Sequence, residues 1–167
     1  MPTGTKIILG VDPGLANTGY GVISVTGNKL NHLEHGVIIT KNSDSLAKRL
    51  YQIASGVEKI IITHKPKLLA IEEIFFAKNA KTAMLVGQAK GAILLTAERH
   101  QLKTVELTPL QIKMALIGYG KADKNQIQQM IKTLLKLKQV PSPDHAADAL
   151  ACAVCGIHKT KTYDSKN

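Results

Sequence analysis

An apolar run, Ile7-Ile8-Leu9-Gly10-Val11, breaks at Asp12-Pro13-Gly14 and resumes at Gly19-Tyr20-Gly21-Val22-Ile23. The two runs are strand-like in composition, and the link between them is too short for anything but antiparallel pairing. One carboxylate, Asp12, therefore sits where an apolar strand gives way to a turn. Asp-Pro-Gly is good turn chemistry by itself, because Pro fixes φ and Gly accepts a positive one. A carboxylate held at a strand end by a rigid scaffold is also how a divalent-metal site is commonly begun. The octapeptide does not choose between these readings, so the rest of the chain must.

A third strand is expected over about 33–39, with Gly27-Asn28 as the hairpin turn before it. Asp44 or Ser45 opens a helix carrying Leu46, Leu50, Ile53, Val57 and Ile60-Ile61 at helical spacing, which ends before Pro66. The strand Leu68-Leu69-Ala70-Ile71-Glu72 follows, then a loop from Glu73 to Asn79, a helix over about 81–100 and a strand over 103–107. Thr108-Pro109 starts another helix, with Thr as N-cap and Pro in the first turn; it stops at Gly118-Tyr119-Gly120. One more is expected over about 123–137, and Pro141-Ser142-Pro143 introduces the last. This order predicts an α/β protein with a five-stranded mixed sheet flanked by helices, the order of the ribonuclease H-like fold. A single domain over 1–158 is expected, and the polar residues 159–167 are read as a disordered tail. There is no internal repeat.

The 167 residues carry a formal charge of +10, which calls for a polyanionic partner, nucleic acid first and an anionic membrane surface second. Of 22 basic residues only Arg49 and Arg99 are arginine, so recognition of phosphate and shape is favoured over bidentate reading of guanine. Cys152 and Cys155 lie in an apolar helical segment and read as buried free thiols of a reducing cytoplasm, with His158 leaving a metal site one ligand short. No run approaches a membrane span, and residues 1–6 lack the apolar segment of a signal peptide. A cytoplasmic protein is expected.

Glu72 closes a buried strand, where a lone carboxylate is costly unless something such as a metal compensates it. Glu73 competes for that role, but adjacent strand residues face opposite sides, so only one of the two converges with Asp12. Asp144, His145 and Asp148 share a face at the start of the last helix. They either complement the helix dipole and water or join the same centre. Between Ile74 and Ala97 there is no acid, but there are Lys78, Lys81 and Lys90; between Lys124 and Pro143 the same holds, with Lys132, Lys136 and Lys138. Such stretches read as a phosphate track, against the alternative of a solvated helix face. Gly118-Tyr119-Gly120-Lys121 has a faint likeness to a phosphate-binding loop without its spacing.

Together, Gly-Val-Asp-Pro-Gly, Thr-Gly-Tyr-Gly-Val-Ile, Ala-Ile-Glu-Glu-Ile-Phe with Lys-Asn, Gly-Gln-Ala-Lys-Gly and His-Ala-Ala-Asp-Ala-Leu-Ala resemble the RuvC family of Holliday junction resolvases over about residues 7 to 158. The resemblance implies a ribonuclease H-like homodimer that cuts opposed strands of a four-way DNA junction with Mg2+ or Mn2+, two ions per site. It implies work beside a branch-migration motor. Asp12, Glu72 and Asp148 fall on the family's acidic ligands, and His145 stands where the family most often has Asp, with Asp144 beside it as the other candidate. Phe75 matches the aromatic that stacks on or parts bases at the crossover. Lys113 and Lys124 match basic residues near the scissile phosphate, and Lys78, Lys81 and Lys121 complete the expected DNA contacts. A junction-binding protein with weak or no catalysis is the alternative; an actin-like phosphotransferase would need a much longer chain.

Overall fold

Period-two alternation sorts the side chains of the first strand onto two faces, and helices cover both. The computed structural model describes residues 4–73 and 79–164, with side chains through residue 159. Strand β1 (Lys6–Asp12) lies at the centre of the sheet, antiparallel to β2 (Asn17–Thr26) and parallel to β4 (Leu68–Glu72). β3 (Lys29–Ile39) pairs antiparallel with β2, and β5 (Lys103–Leu107) pairs parallel with β4, giving the order β3-β2-β1-β4-β5. Helices α1 (Leu46–His64) and α2 (Ala80–Arg99) make the crossovers to β4 and β5. Three helices follow: α3 (Pro109–Ile117), α4 (Lys124–Leu134) and α5 (Asp144–Asp164).

Leu9 and Val11 of β1 point toward one face, where they join Ile53 and Val57 of α1 and Ile93 and Ala97 of α2 in a core. Ile8 joins the opposite core with Leu68 and Ala70 of β4, Ile112 of α3, Ile131 of α4 and Leu150 to Cys155 of α5. The parity continues to the strand ends. Asp12 follows Ile8 and Gly10, and Glu72 follows Leu68 and Ala70, so both carboxylates face α5.

Two glycines let that helix come close. A Cβ on Gly10 would stand 2.0 Å from the carbonyl oxygen of Ala149, and one on Gly19 2.0 Å from that of His145. Neither position tolerates even a methyl group without moving the helix, and α5 thereby places its first turns directly over the ends of β1 and β2.

The local signals hold with small shifts. Ser45, not Asp44, caps α1, and Asn79 caps α2 one residue earlier than expected. Thr108 and Asp123 each form a reciprocal capping box, with Gln111 and Gln126. β3 begins at Lys29 rather than near residue 33, because Thr26 pairs with Lys29 directly across the Gly27-Asn28 turn. α4 ends at Leu134, before a left-handed Lys136 at φ 53°, and not at residue 137. α5 runs on to Asp164, so residues 159–164, read from their polarity as a tail, are helical. Cys152 and Cys155 are buried and free. Among the described residues no helix is long and apolar enough to cross a membrane.

Candidate active site

The ends of β1 and β4 and the start of α5 bring three carboxylates and an imidazole together. His145 Nδ1 lies 2.8 Å from Asp12 Oδ2, and Glu72 and Asp12 share a hydrogen bond. Asp148 stands close enough to both for their charges to oppose its own. Burial, then the charge of Asp12, pushes the Glu72 carboxyl up to about 8, and the same two causes raise Asp148. Lys124, the first residue of α4, answers this crowding: its Nζ is 3.1 Å from Asp144 and 3.5 Å from Asp148. Partial burial works against the Lys124 charge, but the two aspartates outweigh it and its pKa rises.

Alternation resolves the choice between the two glutamates in position. Glu72 turns into the cluster, whereas Glu73 is exposed and uses its backbone N–H to bond Leu107 O at 2.8 Å. Asp144 and His145 also part ways. Asp144 accepts from Gln128 at 3.0 Å and pairs with Lys124, which holds its carboxyl below the usual range, and it is turned toward α4. His145 faces Asp12. The face that Asp144, His145 and Asp148 were expected to share is thus split between a partner on α4 and one on β1.

A cleft of about 230 Å³ opens beside the carboxylates, lined by Glu72, Asp148 and Lys124 together with the half-buried Lys113 of α3. Lys113 and Lys124 therefore reach the same cleft from adjacent helices. Lys121 is exposed on the turn between those helices, and Lys81 is exposed in the first turn of α2. Phe75 and Lys78 lie outside the described residues. Lys90 does not belong to a phosphate track: its side chain is 11% exposed and its ammonium is bound to Glu106 of β5. The acid that neutralises it lies sixteen residues onward, invisible to a reading of α2 alone.

Sequence reasoning missed the Asp144–Lys124–Gln128 connection and the lock of the α3–α4 turn, where the Tyr119 hydroxyl lies 3.0 Å and 2.8 Å from the two amide atoms of Gln126. The spacing Asp123-x-x-Gln126, a capping box, was a legible sign that α4 starts at Lys124.

The profile of the family described as Crossover junction endodeoxyribonuclease RuvC matches residues 8–156. This chain belongs to the RuvC family. Crossover junction endodeoxyribonuclease RuvC of Alkaliphilus oremlandii is 51% identical over 152 residues, covering 91% of this chain and 93% of that protein. The RuvC of Heliobacterium modesticaldum is 49% identical, with 91% and 94% covered. Among solved structures, Thermus thermophilus RuvC in complex with Holliday junction substrate superposes with a TM-score of 0.90 at 32% identity, covering 94% of this chain and 96% of that one. The five-stranded mixed α/β sheet of ribonuclease H-like type expected from the element order is the fold observed.

Proposed function

We infer that this chain is a Holliday junction resolvase, an endonuclease that hydrolyses phosphodiester bonds in two opposed strands of a four-way DNA junction during homologous recombination and repair. The observation that carries the reading is the convergence of Asp12, Glu72 and Asp148 from two strand ends and one helix on a RuvC-family scaffold. RuvC-family nucleases depend on divalent metal. The donor set here suits such an ion: the carboxyls are oxygen donors of the kind Mg2+ and Mn2+ take. Burial first, and then the neighbouring negative charge that Lys124 does not balance, raise the pKa values of Glu72 and Asp148. Among the described residues no three His, Cys, Asp or Glu side chains form a ready-made metal cage, and Asp12 is hydrogen-bonded to His145 and Glu72. Binding would exchange those hydrogen bonds for coordination.

Asp12, Glu72, Asp148 and His145 would hold Mg2+ or Mn2+, two ions when fully loaded. When bound, such ions activate water and neutralise charge on the reacting phosphate. Lys113 and Lys124 supply fixed positive charge in the same cleft, where it opposes the charge growing on the phosphate oxygens. Asp144 keeps the Lys124 ammonium over Asp148, and His145 orients Asp12. Lys81 and Lys121 hold phosphates of the arms, and the family resemblance assigns the same role to Lys78 and stacking at the crossover to Phe75. Two strands must be cut symmetrically, so the working form is a homodimer with one site per protomer. A branch-migration motor that delivers junctions in the cytoplasm completes the reading.

The experiment is cleavage of a synthetic four-way junction and of a linear duplex of the same sequence, with Mg2+ or Mn2+ and with neither. Paired nicks in the junction alone, dependent on the metal, are expected. Tight junction binding without cutting under either metal would make the protein a junction binder instead.

A further inference from the structure

Strand β3 carries a feature that the nuclease reading does not use. Val22 pairs with Glu34 and Ile23 with His32, so Leu33 has no partner in β2 and forms a bulge. One extra residue reverses the alternation. His32 and His35, three apart and destined for opposite faces of a regular strand, now share one face. Their pairing partners Ile23 and Gly21 place that face toward α5. His32 Nε2 and His35 Nδ1 stand 2.7 Å apart, with ring centroids separated by 4.8 Å and the rings inclined at 61°. Glu34, between them in sequence, points to the other face and is engaged by the Tyr20 hydroxyl at 2.9 Å and by His64 at 2.7 Å. Both histidines are half-buried.

We propose that His32 and His35 form a second metal site, one for a borderline d-block cation of the Zn2+ type, distinct from the carboxylate centre. Two ring nitrogens 2.7 Å apart on one sheet face are donors of the kind that Zn2+, Ni2+ and Cu2+ prefer and that Mg2+ does not. Zinc bonds to imidazole at about 2.0–2.1 Å, so tetrahedral coordination needs the nitrogens about 3.3 Å apart. A small rotation of either ring supplies the difference from 2.7 Å. As a neutral pair joined by a hydrogen bond, one ring presents an N–H to the other. With the ion bound, both inner nitrogens are lone-pair donors and each proton sits on the outer nitrogen, with no change in proton count. Water completes the coordination, as expected where two side chains supply the ligands. Desolvation and the neighbouring His35 lower the His32 pKa, which keeps this ring neutral and available as a ligand.

The site lies on the same sheet face as Asp12. In the register Asp12 pairs with Gly19 and Gly19 with Val37, two residues beyond His35. Two strand spacings and two residue rises put the backbones about 12 Å apart. An ion there pins the bulge of an edge strand without sharing a ligand with the carboxylates.

The test is titration of Zn2+ into the full chain in excess Mg2+, read by calorimetry and by the thermal unfolding midpoint, for wild type, His32→Asn, His35→Ala, Asp12→Asn and the control His100→Ala. Asparagine keeps a polar side chain at position 32, so loss of binding there is not loss of fold. Expected are one zinc per chain and a rise in the midpoint for wild type, Asp12→Asn and His100→Ala. Affinity should fall about tenfold or more in His32→Asn and His35→Ala, with the rise in the midpoint removed. Undiminished zinc affinity in both β3 variants overturns the proposal, as does its loss in Asp12→Asn alone, which would place the ion at the carboxylates.

Discussion

Glu72 has the most perturbed environment of the carboxylates discussed, and its shift has a definite sign. A carboxyl raised to about 8 holds its proton more firmly in the folded chain than in the unfolded one, where its ordinary value is 4.5. Its effect on metal-free stability is therefore absent below the unfolded value and grows as a loss while pH rises through the window toward 8. Asp148 shifts in the same direction. In a chelator, the denaturation midpoint of the wild type should drop between pH 5 and pH 8 more than that of Glu72→Gln, and divalent metal should restore it at pH 8. Equal pH slopes would mean that neither burial nor the charge of Asp12 raises Glu72 in the folded chain. At the neighbouring cation, Lys124→Ala should slow junction cleavage by about a hundredfold, the scale set by loss of one charge-stabilising donor, while binding changes little. Asp144→Asn, which only loosens that lysine, should cost far less; equal losses in the two variants would show that Asp144 acts on the reaction directly. As a proposed ligand, His145 would set the metal preference, because an imidazole nitrogen suits Mn2+ better than Mg2+. Cleavage should run faster in Mn2+ than in equimolar Mg2+, and His145→Asp should narrow the ratio. An unchanged ratio would remove His145 from the ligand set.

At the scale of elements, the strands and helices that build the centre were legible because their signals are local. Alternation put Asp12 and Glu72 at the ends of buried strands, and Thr108, Asp123 and Asn79 mark helix starts through side-chain to backbone hydrogen bonds. What escaped reading depends on partners distant in sequence. The polar start of β3 looks like loop until its pairing with β2 is known, and Lys90 looks like a phosphate contact until Glu106 is found across from it. The residues alone left Glu72 and Glu73 open and the family resemblance favoured Glu72; in the fold that choice rests on the face where α5 lies. That face depends in turn on Gly10 and Gly19, whose role in letting α5 approach gives no local signal. Gly10→Ala forces a methyl group against Ala149 O and should destabilise the chain by about 3 kcal/mol, the upper part of the range for overpacking. Gly27→Ala, in a turn with open space around it, should cost less, from its left-handed φ alone. Denaturant midpoints check the pair, and a Gly10→Ala protein as stable as wild type would show that the helix sits farther from the sheet.

For the molecule as a whole, the charge of +10 surrounds a centre whose own side chains are mostly acidic. In the proposed function the two parts have separable tasks: lysines would hold phosphates, and the carboxylates would serve the cut. Junction binding should therefore weaken steeply as salt rises, whereas removing one carboxylate should leave it intact or stronger by reducing repulsion. The most direct measurement places Asp12→Asn, Glu72→Gln and Glu73→Gln side by side, recording affinity for a synthetic four-way junction and the single-turnover cleavage rate with Mn2+ for each. Junction affinity equal to or above wild type in all three is expected, with cutting abolished in the first two and retained in Glu73→Gln. Cutting that survives Asp12→Asn and Glu72→Gln, or that disappears only in Glu73→Gln, would contradict the assignment of the strand-end carboxylates as the centre of catalysis.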